Sequence, residues 1–340
     1  GSPRGARGDR HRTSGHQLSP ASAPRAGDAS TGAAAGERGS SRRGPGDNLC
    51  MEGHLVPELF VIGAPKASTT TFARSFRDSA GVYLARLPFK KKAGGLSKEV
   101  YFFDELAEDR ALSLQKKGAW LEFYPRCLEE RAVSTDMTPS YLRNTWSAGK
   151  IAEYYGDLKS KPVFVVLLRE PVGRAQSHFN QMEELGTGLL PKGLTFSGFV
   201  TRYLQNGYDT EKKLMWCGQY AKQLRVWFQR FHSSQFWICP MKYHVDPHRF
   251  GIVPDLTSTL WDYLGLPRGQ PLPGLHLNSH KHRSLEMDLD KDLLARVRSN
   301  LSSVLPDLAA LLAASRARLF GYTGAAGDEL AVRRWIAGGW

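Results

Sequence analysis

The chain has no run of 18 consecutive apolar residues, so its sequence predicts no transmembrane helix. Cysteine is scarce: Cys50, Cys127, Cys217 and Cys239 are the only four in 340 residues, and no two sit at metal-ligand spacing. That spacing argues against a zinc site, and it leaves open the three pairings of four cysteines as well as free buried thiols. Residues 1–47 contain a single Leu and no Ile, Val, Phe, Trp or Tyr. Such a segment cannot bury enough apolar surface to offset the entropy of ordering it. The expectation is a disordered Gly/Ala/Ser/Arg-rich tail or stem over 1–47, followed by one folded domain over 48–340. The chain begins Gly1-Ser2 rather than with Met, which leaves room for a targeting or anchoring segment ahead of it. Acidic charge is also in deficit, with 33 Asp+Glu against 46 Lys+Arg and a formal net charge of +13. The tail holds eight Arg and four acids, so most of the excess belongs to the folded part. A basic folded part suits anionic partners such as nucleotides or acidic polysaccharide. The tail's Arg residues are diluted by Gly and Ala, which argues against a nucleic-acid-binding arm.

From Glu58 onward the pattern becomes that of a folded protein. Leu59-Phe60-Val61-Ile62, bounded by Gly63 and Pro65, reads as a strand buried on both faces. Pro162–Leu168 and Phe236–Cys239 read the same way. Between and after them, helices are predicted over Thr69–Arg77, Lys150–Tyr155, Pro171–Leu185, Gly218–Phe231, Leu256–Leu264 and Leu289–Ala314, the last broken near Pro306. Strands alternating with helices predict an α/β fold, a central parallel sheet flanked by helices. The basic stretch around Lys90, Lys91 and Lys92 reads as an exposed loop.

Two strand-to-helix junctions carry chemistry. The first is Gly63-Ala64-Pro65-Lys66-Ala67-Ser68-Thr69-Thr70. A turn there presents backbone N–H groups and a helix N-terminus to an anion, with the hydroxyls of Thr69 and Thr70 and the charge of Lys66 beside them. It is not an NTPase loop, because Pro65 precedes the Lys and Ala67 follows it, where that motif needs Gly and Ser or Thr. The second junction is Arg169-Glu170-Pro171 through Ser177. An NTPase places a magnesium-holding Asp at such a strand end. Arg169 there repels a metal ion and welcomes a phosphate, and Ser177, two helical turns on, can share the grip. No metal is therefore expected.

These segments resemble the PAPS-dependent sulfotransferases (PAPS is 3′-phosphoadenosine 5′-phosphosulfate), most closely the Golgi carbohydrate branch that includes heparan sulfate-type enzymes. Lys66–Thr70 resembles that family's 5′-phosphosulfate loop, and Arg169–Ser177 its 3′-phosphate motif. Lys98-Glu99-Val100-Tyr101-Phe102-Phe103-Asp104 resembles the stretch carrying its catalytic Glu, with Tyr101 in place of His. Thr135-Asp136-Met137-Thr138-Pro139-Ser140-Tyr141 resembles a Glu-Lys-Thr-Pro-x-Tyr stretch, and Cys217-Gly218-Gln219-Tyr220 a Gly-x-Tyr helix. His280-Lys281-His282-Arg283 resembles a late basic loop that closes over the donor. Ser68 stands where the family's loop carries Gly.

The resemblance implies a P-loop-like nucleotide-binding sulfotransferase fold and in-line transfer of a sulfuryl group from PAPS to a hydroxyl or amine, leaving PAP. It implies Glu99 as general base and Lys66 as the group at the leaving oxygen. Donor binding would fall to Lys66, Ala67, Ser68, Thr69, Thr70, Thr71, Arg169, Ser177, Tyr220, Lys281, His282 and Arg283. Lys98, Tyr101, Asp104 and Asp136 would face the acceptor, and His178 and His280 are other candidate bases. A glycan acceptor and a Golgi-lumen location follow from the likeness, with the membrane reached only through an N-terminal anchor. A small metabolite, lipid or tyrosyl-peptide acceptor, a non-catalytic binder of anionic polymers, and a kinase are the competing readings.

Overall fold

A computed structural model of the chain describes residues 47–77, 79–85, 98–105, 116–186, 188–210, 213–266 and 289–340. The predicted tail, Asp47 apart, and the Lys90–Lys92 loop lie outside them. The described strands are β1 (Cys50–Met51), β2 (His54–Leu55), β3 (Pro57–Gly63), β4 (Val82–Leu84), β5 (Val133–Asp136), β6 (Val163–Leu168), β7 (Phe236–Pro240) and β8 (Arg318–Leu319). β1 and β2 form a small antiparallel pair. The other six build one parallel sheet in the order β4-β5-β3-β6-β7-β8. Helices flank it, as the alternating pattern predicts.

β3 and β6 are buried along their whole length. A central parallel strand covered on both faces needs this continuous apolar sequence. One polar residue interrupts it: Glu58 is fully buried, and both its carboxylate oxygens accept from the Arg131 guanidinium at 2.9 Å. Arg131 also donates to the carbonyl of Leu264 at 2.6 Å, so the pair ties β3 to the helix Leu256–Leu264. A bidentate partner is what makes a buried carboxylate tolerable.

The helices Pro171–Glu184, Phe196–Asn206 and Lys291–Asn300 contribute to a second, smaller core through Phe179, Phe199 and Val297. The expected long helix over Leu289–Ala314 is in fact two, Lys291–Asn300 and Val304–Ala313. The break falls at 301–303 rather than at Pro306, which lies in the first turn of the second helix, where a missing N–H costs nothing. Cys50 and Cys127 form a disulfide across a sequence separation of 77, while Cys217 and Cys239 are buried thiols.

The sheet order positions the site. β3 sits between β5 and β6, pairing Phe60 with Asp136 on one side and with Phe164 on the other. The carboxyl ends of these three strands therefore lie side by side. Ligands of open α/β sheets bind in the crevice outside strand carboxyl ends.

Candidate functional site

After β3 the chain turns sharply into the helix Thr69–Arg77. Lys66 and Ser68 both have left-handed backbone conformations, with φ of 70° and 65°. Glycine takes this conformation freely and other residues resist it. The Ser68 departure from the family pattern is thus a strained one, of the kind found at ligand sites. Gly63, at the end of β3, is required for a different reason: a Cβ there would meet Leu142 Cβ at 2.6 Å. The segment following β5 packs directly on the turn through this gap, and Leu142 N–H donates to the carbonyl of Ile62 at 2.8 Å.

After β6 the helix Pro171–Glu184 begins, with Pro171 in its first turn and the Glu170 carboxylate accepting from Gly173 N–H at 2.6 Å. Arg169 lies between strand and helix. Its guanidinium donates to the carbonyl of Lys66 at 2.9 Å, which joins the two predicted phosphate sites directly. Tyr220, predicted to touch the donor, is fully buried instead, beneath Arg169. Its hydroxyl donates to the Arg169 carbonyl at 2.7 Å, and burial pushes its pKa up to about 12. Its place in the site is structural, as a prop for the Arg169 backbone. Gly218 lets that helix approach, since a Cβ there would meet Pro171 Cβ at 2.9 Å.

Lys66, Ser68, Thr69, Thr70, Arg169 and Ser177 line one cleft of about 350 Å³, together with Glu99, Tyr101 and His178. Burial, and then the nearby Arg169 charge, lower the Lys66 ammonium from 10.5 to about 8, against the opposite pull of Glu184 and Glu99. Burial also lowers the pKa of Arg169. The cleft is a site of concentrated positive charge.

The segment 98–105 crosses one side of it. Phe103 fastens the segment to the interior, its ring 5.5 Å from Trp120 and 5.2 Å from Tyr154. Lys98 is buried and its ammonium pairs with the Glu99 carboxylate, to which the Tyr101 hydroxyl also donates. Lys98 is thus Glu99's partner and is not itself a cleft-lining residue.

Two further expectations need correcting. Asp136 is completely buried at the end of β5, accepting from the Thr138 hydroxyl at 2.6 Å and the Tyr141 hydroxyl at 2.8 Å. Burial raises its carboxyl to about 7. It has no surface to offer an acceptor. Asp104 accepts from the hydroxyls of Ser140 and Ser147, its pKa raised by burial, and stands outside the cleft lining. Ala67 is buried and Thr71 lies one step further along the helix, so neither side chain lines the cleft. Lys281, His282, Arg283 and His280 lie outside the described residues.

The structure adds residues that sequence reading missed. Arg143 lines the cleft, four residues beyond Pro139, which lines it too. Met182 and Leu185 follow His178 at helical spacing of four and seven, and with Leu189 they form an apolar wall. Leu185 is 62% exposed, so that wall continues to the mouth. The helix period after Ser177 was a legible signal for both; Arg143 had none beyond its place after the Thr138–Tyr141 stretch.

No family model and no curated protein sequence matches the chain. The crystal structure of a sulfotransferase from Alicyclobacillus acidocaldarius is similar to it, with a TM-score of 0.53 and 19% sequence identity over 75% of this chain and 95% of that one. A sulfotransferase domain from the curacin biosynthetic pathway aligns with a TM-score of 0.39 and 14% identity, covering 73% of this chain and 98% of that domain. The first of these two likenesses gives the fold as the P-loop-like fold of sulfotransferases.

Proposed function

We propose that this chain is a sulfotransferase that moves a sulfuryl group from PAPS onto an acceptor hydroxyl or amine, with a glycan as the first acceptor to test. The observation that carries the reading is the convergence of the Lys66–Thr70 turn, Arg169 with Ser177, and Glu99 on one cleft. The charge in that cleft fits a doubly phosphorylated donor: Lys66, Arg143 and Arg169 line it, and among the described residues Glu99 is its only acidic lining group. Burial first, and the Arg169 charge second, depress Lys66, and a bound polyanion offsets that cost.

When bound, PAPS supplies an activated sulfuryl group on a phosphate leaving group. The protein's task is then positioning and charge stabilisation. Thr69 and Thr70 offer hydroxyls at the helix N-terminus to the 5′-phosphate, and Lys66 holds a proton where negative charge develops. Arg169 and Ser177 hold the 3′-phosphate. Glu99 accepts the acceptor's proton, its carboxylate oriented by the Lys98 ammonium and the Tyr101 hydroxyl. Cationic side chains meet the charges of the donor, so turnover is expected to proceed in EDTA. A Golgi-lumen location is part of the same reading and rests on the motif resemblance alone.

A second acceptor class, a lipid or apolar metabolite, is favoured by the Met182, Leu185 and Leu189 wall. Transfer of labelled sulfate from PAPS, run in EDTA against a panel of glycans, phenols and lipid alcohols, separates the two classes. Binding of anionic polymer without release of PAP on any acceptor would replace the enzyme with a binding protein.

A further inference from the structure

Asp136 is buried too deeply to meet a substrate, yet it is the root of a hydrogen-bonded chain that ends in the cleft. Backbone N–H groups only donate. The Thr138 hydroxyl oxygen accepts two of them, Val100 N–H at 2.8 Å and Tyr101 N–H at 3.3 Å. Its lone pairs face those groups, and its single proton therefore goes to Asp136, at 2.6 Å. The Tyr141 hydroxyl likewise donates to the second Asp136 oxygen at 2.8 Å. Tyr101 has φ of 61°, which a bulky residue adopts only where its surroundings enforce it. That turn lets the Tyr101 hydroxyl fold back onto the Glu99 carboxylate.

We propose that Asp136 is a positioning residue: acting through Thr138, its carboxylate fixes the Val100–Tyr101 turn that presents Glu99 to the cleft. This rests on the reading of Glu99 as the base. The chain of contacts is directional. Removing the carboxylate frees the Thr138 proton to turn toward the two N–H groups, and the acceptor they share is lost. Glu99 then keeps its chemistry but loses its aim, and misplacement by about 1 Å can cost on the order of 100-fold in rate.

The test uses the full chain and a responsive acceptor. Thr138→Val removes the hydroxyl at nearly constant shape, and Thr138→Ser keeps it. The expected result is a kcat roughly 10- to 100-fold lower for Thr138→Val, with donor KM and PAP affinity near wild type and a lower melting temperature, because buried Asp136 and the two N–H groups lose their shared partner. Thr138→Ser should restore most of the loss, and amide exchange at Val100 and Tyr101 should quicken in the Val variant and not in the Ser variant. Asp136→Asn leaves one acceptor oxygen for two hydroxyl donors, so it should lower kcat and quicken the same exchange by a smaller factor, and in a Glu99→Gln background it should add little further loss. A Thr138→Val enzyme with wild-type kcat, or equal losses from Val and Ser, overturns the positioning role while leaving Glu99 as base. A Glu99→Gln enzyme that keeps its activity overturns the base assignment first, and this inference falls with it.

Discussion

On the proposed reading, the depressed Lys66 makes donor binding a proton-coupled event, and this can be measured without any acceptor. Burial and the Arg169 charge bring Lys66 to about 8 in the free protein. A bound polyanion favours the ammonium and raises that value. Above pH 8 the free protein must therefore take up a proton to bind PAP, and the charged fraction falls tenfold per pH unit. The expected result is an affinity about ten times weaker at pH 9 than at pH 7, with nearly one proton taken up per nucleotide at the higher pH. Phosphate groups interfere little, because their second ionisation, near pH 6, is already about nine-tenths complete at pH 7. Calorimetry in two buffers of different ionisation enthalpy reads both quantities. Lys66→Met should bind weakly at every pH with no slope. The same group has a stability signature of defined sign. Its folded pKa lies below the unfolded 10.5, so the unfolded chain holds the proton more tightly, and stability rises as pH climbs from about 8 to 10.5. A PAP affinity that is flat from pH 7 to 9, or a slope that survives Lys66→Met, would refute the placement of Lys66 at the donor.

Three other outcomes follow from the geometry. Arg169→Ala should weaken PAP by about 10- to 150-fold, the worth of a charge-assisted contact, and should weaken a nucleotide without the 3′-phosphate much less; equal losses in a binding titration would remove Arg169 from the 3′ site. Glu99→Gln should lower turnover by about 100- to 10,000-fold while leaving PAP affinity unchanged, and more than about a tenth of wild-type turnover would shift the search to His178, which lines the same cleft. Replacing Cys50 and Cys127 by Ser opens a loop with a sequence separation of 77; chain-entropy reasoning puts the loss at up to about 4.5 kcal/mol, read as a lower denaturation midpoint that matches the effect of reductant on the parent protein.

Some of this was written locally in the sequence and some was not. β3 and β6 were legible because a strand covered on both faces must be apolar throughout. β5 was not, because Val133-Ser134-Thr135-Asp136 is mostly polar and its burial depends on partners elsewhere. Ser134 and Thr135 donate to the carbonyl of Tyr83, and Asp136 needs Thr138 and Tyr141. The two strand-to-helix junctions were legible because each lies within a dozen residues of chain. Asp136 was misread for the same reason that β5 was missed: a carboxylate in a motif looks like a group for substrates until its neighbours are seen to enclose it. The enclosure of Tyr220 was likewise invisible locally: its hydroxyl meets the main chain of Arg169.

What no local pattern could supply is the distance between the pieces, and the sheet order supplies it. Glu99, Lys66 and Arg169 come from chain segments separated by 33 and 103 residues from the loop lysine. Parallel pairing of β5 and β6 on either side of β3 brings their carboxyl ends to one edge. Two short-range contacts then lock the spacing: Leu142 fills the gap left by Gly63, and the Arg169 guanidinium holds the Lys66 carbonyl at 2.9 Å. The first sets the Glu99-bearing side against the Lys66–Thr70 turn, because the segment running from Asp136 to Leu142 is also the one that holds Val100 and Tyr101. The second sets the Arg169 side. The turn is thus gripped from both flanks, and its two left-handed residues can persist because neither flank can relax without breaking a contact with the sheet.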